Sequence, residues 1–106
     1  MTNQELIEKL NNNEYITREE WLSIGPVTRD ILLAVYDQRI KCEDRFNNKY
    51  WVERARKAKA QRLQDFDTGK TVFVTTIDSQ YDHGYTTETY LYSDGSIENA
   101  QFYDGD

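Results

Sequence analysis

Two short helices are predicted at the start of the chain from polar caps followed by apolar residues at helical spacing. Thr2 and Thr17 are placed to cap these helices, and Glu5 and Glu20, three residues later, complete the pattern of a capping box. Gly25 then supplies a residue that favours the left-handed conformation in which helices end. The apolar stripe of the first helix consists of Leu6, Ile7 and Leu10. That of the second helix consists of Trp21, Leu22 and Ile24.

A third apolar stripe begins after Thr28, which is placed to cap a longer helix. Its members are mostly three or four residues apart, the helical period. They are Ile31, Leu32, Leu33, Val35, Tyr36, Ile40, Phe46 and Tyr50. No proline or glycine interrupts residues 27–68, so the pattern predicts one long helix or a helical hairpin. We favour a break at Asn47-Asn48, because asparagine is a weak helix former and two occur together.

The period changes after Phe66 from that of a helix to that of a strand. Residues 71–77 are rich in β-branched and aromatic side chains and predict a first strand. A polar loop is expected at 78–84 and a second strand at 85–92. Asp94-Gly95 favours a tight hairpin before a third strand at 96–103.

These elements predict a single α+β domain over residues 1–106. Its helical part covers 1–66, with two short helices and one that is long or broken near Asn47-Asn48. A three-stranded antiparallel meander follows at 71–103, because consecutive strands joined by short turns usually pair as neighbours.

Composition predicts a thinly cored protein of the cytoplasm. Hydrophobic residues make up only 38% of the 106 positions, although aromatic residues reach 13% and add large buried areas. The single cysteine, Cys42, cannot form an internal disulfide and suits a reducing compartment. The first ten residues do not have the pattern of a secretory signal, and no apolar run approaches the roughly 18 residues of a membrane span.

Charge is distributed unevenly between the middle and the end of the chain, within a net charge of −6. Residues 49–63 hold one anion, Glu53, and a basic patch of six cations: Lys49, Arg54, Arg56, Lys57, Lys59 and Arg62. Residues 71–106 hold no lysine or arginine and seven carboxylates: Asp78, Asp82, Glu88, Asp94, Glu98, Asp104 and Asp106. Such asymmetry favours binding partners whose surface carries the opposite charge.

The chain offers little for enzyme chemistry. Its one histidine, His83, is adjacent to Asp82, and its one cysteine, Cys42, is distant in the sequence, which is a poor basis for a nucleophilic pair. Cysteine and histidine are too few for a zinc site, and the carboxylates lack the spacing of a calcium loop. We therefore expect a non-enzymatic protein without a cofactor or metal.

Two features of the helical part could bind nucleic acid. Residues 17–40 have the order of a helix-turn-helix, but the second helix, at 28–38, holds one cation and two anions. That balance is more typical of packed core helices. The basic patch could follow a phosphate backbone, or it could be an ordinary solvated helix face. Nucleic-acid binding is expected only through this basic helix.

The acidic, tyrosine-rich strands are the main functional candidate. Alternation places Glu88, Tyr90 and Tyr92 on one face of the second strand, and Glu98, Ala100 and Phe102 on one face of the third. One face of the sheet can therefore show carboxylates beside tyrosines. The candidate partner-binding residues are Asp78, Tyr81, Asp82, Tyr85, Glu88, Tyr90, Tyr92, Asp94, Glu98, Tyr103 and Asp104. Spaced carboxylates imitate phosphates, and tyrosine is favoured at interfaces. The alternative is an acidic surface that serves only solubility.

These observations predict an inhibitor that blocks the basic groove of a nucleic-acid-handling host protein, such as a CRISPR effector or restriction enzyme. In composition the chain resembles small proteins of phages and mobile elements. A DNA-binding regulator and a helical assembly protein are the alternatives. A homodimer is also expected, because the stripe Leu32, Tyr36, Ile40, Phe46 and Tyr50 is longer than the rest of the chain can cover.

Overall fold

The computed structural model of the chain describes residues 1–103, in which four helices precede a three-stranded sheet. The helices are α1 (Asn3–Asn11), α2 (Arg18–Ser23), α3 (Arg29–Arg45) and α4 (Lys49–Asp67). The strands are β1 (Phe73–Asp82), β2 (Tyr85–Tyr92) and β3 (Ile97–Tyr103). The predicted α+β order, with helices first and an antiparallel meander after them, is confirmed.

The predicted caps begin the first three helices. The Thr2 hydroxyl accepts from the Glu5 amide, and the Thr28 hydroxyl accepts from the amide of Ile31. At α2 the capping box is reciprocal, since the Thr17 hydroxyl accepts from the Glu20 amide and the Glu20 carboxylate accepts from the Thr17 amide. Each bond satisfies an amide that has no partner within its helix.

The long apolar segment is broken at Asn47-Asn48, as favoured from the sequence. Asn47 has a φ of 57°, a left-handed conformation that asparagine tolerates better than most residues. The chain reverses there, and α4 packs along α3 through the small side chains of Ala55 and Ala58.

This reversal divides the third apolar stripe. Leu32 and Tyr36 are fully buried, whereas Phe46 and Tyr50, at the turn, are 73% and 62% exposed. The rest of the chain therefore covers the first part of the stripe, which lies in the core, and leaves Phe46 and Tyr50 exposed. The homodimer expected from that stripe stays a prediction.

The predicted polar loop at 78–84 is instead the second half of β1. The strand continues to Asp82, which pairs with Tyr85, so the connection is only His83-Gly84. Both turn residues have positive φ, 50° and 85°, as the type I′ hairpin turn requires. Histidine with glycine is a weaker signal for this turn than Asn-Gly or Asp-Gly, and polarity alone suggested a loop.

Two register shifts in β1 direct its apolar side chains into the core. Against β2, the pairing passes from Phe73 to Thr75 and from Thr76 to Asp78, leaving Val74 and Ile77 as extra residues. In a regular strand, residues three positions apart face opposite sides. The extra residues reset the alternation, and Val74 and Ile77 are both buried against the helices.

Ser93 joins the sheet to the helical part of the protein. Its amide donates to the Val72 carbonyl at 2.8 Å, and its hydroxyl accepts from the Val72 amide at 2.9 Å. Its carbonyl accepts from the amide of Val27, just before α3, at 2.8 Å. Two residues further on, a Cβ on Gly95 would lie 3.1 Å from the carbonyl carbon of Gly25, so only glycine fits this contact.

We expect Ser93→Ala to lower the free energy of unfolding by about 1–3 kcal/mol, because the buried Val72 amide loses its acceptor. Urea denaturation measures the change. Ser79→Ala, at an exposed position of β1, is the matched control and should change stability by less than about 0.5 kcal/mol. Equal losses in the two variants would show that the Ser93 hydroxyl has no special structural role.

Candidate functional site

The pairing register places four candidate residues on one face of the sheet. Tyr90 is opposite Glu98, and Glu88 and Tyr92 are two residues away from Tyr90 along β2. Directly paired residues share a face, so all four are on the side opposite buried Leu91. We call Glu88, Tyr90, Tyr92 and Glu98 the tyrosine–glutamate face.

Each tyrosine of this face is bonded to one of its carboxylates. The Tyr90 hydroxyl donates to Glu88 Oε2 at 2.7 Å, and the Tyr92 hydroxyl donates to Glu98 Oε2 at 2.9 Å. These hydrogen bonds raise the pKa of both phenols, because ionising a phenol would remove the donor and set two negative charges together. Each bond orients the carboxylate while using one of its two oxygens.

Phe73 supports both tyrosines from the neighbouring strand. Its ring meets those of Tyr90 and Tyr92 edge-on, with centroids 5.8 and 6.2 Å away. Such edge-to-face pairs add about 0.5–1.5 kcal/mol beyond the area they bury. Phe73 was not among the sequence candidates. The β-branched and aromatic residues of 71–77 predict its strand, but its position under the tyrosines depends on the register shift at Val74.

The structure separates the other sheet candidates from this face, apart from Tyr81. Tyr81 is opposite Thr86 and therefore shares the face, near its far end. Asp78 is on the helix-facing side, 3.6 Å from Arg18. Tyr85 and Tyr103 are also on that side, with ring centroids 4.9 Å apart.

The remaining acidic candidates are at turns or outside the described chain. Asp82 is exposed beside His83, with 3.3 Å between its carboxylate and the imidazole Nε2. Asp94 accepts from the side chain and the amide of Ser96, and these bonds lower the pKa of its carboxyl. Asp94 therefore has a structural part in the β2–β3 turn. Asp104 is outside the described residues.

The cations of the basic patch differ in their surroundings. Lys59 is paired with Asp37 of α3 at 2.7 Å, and Lys57 with Glu53 of its own helix at 3.5 Å. Arg62 is half-buried, and its charge acts on the Tyr92 phenol. Its Nε is buried without a hydrogen-bond partner in residues 1–103. Lys49 and Arg56 are exposed near the α3–α4 turn.

Exposed aromatic rings adjoin the basic patch. The Arg54 guanidinium is 5.2 Å from the Trp51 ring and 5.8 Å from the Tyr50 ring, which are in edge contact with each other. Beside Trp51, a shallow groove of about 180 Å³ runs between α3 and α4. We call Phe46, Tyr50, Trp51 and Arg54 the hairpin tip. The cations are evident in the sequence, whereas their contact with the rings was not predicted. The signal for it is the spacing of four and three residues that puts Tyr50 and Trp51 next to Arg54 on one helix.

Other kinds of site find no support in the described chain. Within residues 1–103, no three side chains of the acidic, histidine or cysteine types are grouped closely enough to hold a metal ion. None of the helices in that range has the length and apolar character needed to cross a membrane. The side chain of His83 is exposed in its turn, beside the carboxylate of Asp82.

No protein-family model, curated protein or solved structure matches this chain. The function must therefore be inferred from its own surfaces.

We expect the Tyr90 and Tyr92 phenols to ionise above the ordinary tyrosine pKa of about 10. Glu88→Gln should lower the pKa of Tyr90, and Glu98→Gln that of Tyr92, because each change removes the adjacent negative charge. Site-resolved NMR of the tyrosine ring carbons during an alkaline titration measures both. Tyr92 is the internal control in Glu88→Gln, whereas Glu98→Gln should also lower the pKa of Tyr90, because the charge of Glu98 acts on both phenols. An unchanged pKa of Tyr90 in Glu88→Gln, or of Tyr92 in Glu98→Gln, would contradict the pairing.

Proposed function

We propose that this protein is a non-enzymatic binding protein that occupies the basic, nucleic-acid-binding groove of another protein. It would act as an inhibitor of the kind that phages and mobile elements direct against a host CRISPR effector or restriction enzyme. The observation that carries the proposal is the pair of Tyr–Glu hydrogen bonds on the tyrosine–glutamate face. They hold two carboxylates in fixed positions on a side of the sheet where tyrosine rings supply contact area.

Charge supports this kind of partner. Residues 71–103 carry five carboxylates and no lysine or arginine. Glu88 and Glu98 are diagonal neighbours on adjacent strands, a separation of about 7–8 Å between backbones. That is less than the Debye length of roughly 8–10 Å at physiological salt. The two charges therefore act together on an approaching cationic groove, where phosphates would otherwise bind.

Preorganisation supports binding through the same residues. A free glutamate loses rotamer freedom when it is fixed at an interface, at a cost of about 0.5–1.5 kcal/mol for each side chain. Here the tyrosine hydroxyls already restrict Glu88 and Glu98, and Phe73 restricts the tyrosine rings. The face can therefore bind with a smaller loss of entropy than two unrestrained carboxylates.

The helix-turn-helix alternative receives less support. α2 is only six residues long, and α3 packs against α1, α4 and β1. α3 also buries five side chains: Ile31, Leu32, Ala34, Val35 and Tyr36. This arrangement is that of a central core helix, whereas a recognition helix must present one long side to a DNA groove.

Reversing both glutamates of the face should abolish partner binding. In an affinity capture from nuclease-treated bacterial lysate, the unaltered chain should retain a bacterial protein. We expect the Glu88→Lys/Glu98→Lys variant not to retain that protein. It should also fail to displace labelled duplex DNA from that captured protein. The matched control is Glu8→Lys/Glu14→Lys, at exposed positions in α1 and just after it. Both variants change the net charge from −6 to −2.

Circular dichroism must show that both variants are folded. Equal capture by the two folded variants would rule out the tyrosine–glutamate face as the binding site. Equal loss would mean that net charge, rather than this face, governs binding.

Direct binding of single-stranded nucleic acid is a second candidate function, favoured by the hairpin tip. Exposed rings on which bases can stack, next to cations that contact phosphates, are the usual elements of such sites. Tyr50, Trp51 and Arg54 combine these elements, with Lys49 and Arg56 nearby.

If the tip binds nucleic acid, Trp51→Ala/Arg54→Gln should weaken binding of labelled oligo-dT by at least about tenfold, since stacking contributes about 1–3 kcal/mol per base. Fluorescence anisotropy at two salt concentrations measures this, and affinity should fall as salt rises. Tyr15→Ala/Lys41→Gln removes an exposed ring and a cation elsewhere. Indistinguishable affinities of the two variants would exclude the tip.

A further inference from the structure

The two outer strands of the sheet differ in how their edges are protected. β1 has two register shifts, at Val74 and Ile77, and α2 packs beside it with Arg18 close to Asp78. Bulges, charges and covering elements are the usual devices that stop an edge strand from pairing with another chain. β1 therefore has the features of a protected edge.

β3 has fewer of these devices. It pairs with β2 alone in the sheet order of residues 1–103, with no register shift along seven residues. Its sequence, Ile97–Tyr103, contains no proline, lysine, arginine or glycine, and Glu98 is its one charged residue. Ile97, Phe102 and Tyr103 are 40%, 49% and 63% exposed. A regular edge strand with a single charge and exposed apolar side chains is a template for a further strand.

We propose that β3 pairs antiparallel with β3 of a second copy of this chain, about a two-fold axis at Ala100. The result is a continuous six-stranded sheet. Such an interface is isologous, so the same strand must be complementary to its own reverse. The sequence of β3 meets this condition.

In the register centred on Ala100, every residue of β3 has an acceptable partner. Ile97 faces the partner's Tyr103, and Asn99 faces the partner's Gln101. Glu98 faces the partner's Phe102, so no two like charges are opposed. Ala100 faces its own equivalent, where a small side chain fits the axis. A register centred on Glu98 would oppose two carboxylates, and one centred on Asn99 or Gln101 would leave two of the seven strand residues unpaired.

This pairing would double the tyrosine–glutamate face. Glu98, Ala100 and Phe102 share that face with Glu88 and Tyr90, so the axis would join the faces of both copies into one surface with four glutamates. Each copy thereby contributes residues to the site of the other. This last consequence rests on the proposed function, whereas the pairing of β3 does not.

The variant Ala100→Lys should disrupt the dimer without disrupting the fold of the single chain. At the two-fold axis, the lysines of the two copies would lie directly opposite each other, and their repulsion should prevent the two β3 strands from pairing. Within one chain, position 100 is opposite Glu88, so the same lysine gains a favourable cross-strand partner. Ser79→Lys is the matched control, because Ser79 is also opposite Glu88, but on β1.

Light scattering at tens of micromolar protein should give twice the chain mass of 12.6 kDa for the unaltered protein and for Ser79→Lys. Ala100→Lys should give the mass of one chain. A monomeric unaltered protein would overturn the proposal, and so would an Ala100→Lys variant that stays dimeric.

Oxidative cross-linking tests the register. In a Cys42→Ser background, Ala100→Cys should form an intermolecular disulfide, because directly opposed residues have Cα atoms about 4.5–5.5 Å apart, within the range of disulfides. Glu98→Cys should not, because the two copies of that position are offset by four residues, or about 13 Å. No cross-link at Ala100, or equal cross-linking at both positions, would contradict the axis. These measurements need no partner protein, so their failure leaves the proposed function untouched.

Discussion

The three hydrogen bonds at Ser93 connect segments that are far apart in the sequence. Through Val27 they fix the start of α3, and through Val72 they fix the approach to β1. The close approach of Gly95 to Gly25 completes the contact between the β2–β3 turn and the α2–α3 loop. Because buried amides must find acceptors, the central helix and the first strand have one mutual arrangement, and the core is built on it.

The same arrangement links the core to the outer face of the sheet. The register shifts in β1 send Val74 and Ile77 inward to meet Leu32 and the other buried side chains of the core. They leave Phe73 on the opposite side, where it supports Tyr90 and Tyr92. The burial of Ile77 inside and the support of the tyrosines by Phe73 outside thus both depend on the two register shifts, and a regular β1 could not provide both.

Local features of the fold could be predicted from the sequence, whereas features that depend on pairing could not. A few adjacent residues are enough to predict the caps at Thr17 and Thr28 and the break at Asn47-Asn48. The predicted β1 is too short, because His83-Gly84 forms a hairpin turn without the Asn-Gly or Asp-Gly pair that most strongly predicts such a turn. The register shifts have no local signature, since they arise from the match between β1 and β2.

In the candidate site, too, grouping within one strand could be predicted from the sequence, whereas grouping that depends on strand pairing could not. Alternation was enough to group Glu88, Tyr90 and Tyr92, whereas Glu98 joins them through its pairing with Tyr90. Alternation could not show that Asp78 faces the other side, because the register shift at Ile77 sets the orientation of that residue. The exposure of Phe46 and Tyr50 likewise depends on the turn between α3 and α4.

The bonds of Tyr90 and Tyr92 to their glutamates also affect covalent modification of the protein. Nitration and iodination proceed through the phenolate, which is scarce where hydrogen bonding to a carboxylate raises the pKa. A phosphoryl group on either hydroxyl would remove the hydrogen bond and place about two negative charges next to the glutamate. Tyrosine-directed chemistry would therefore reach the exposed rings of Tyr15 and Tyr81 before the two tyrosines at the centre of the face.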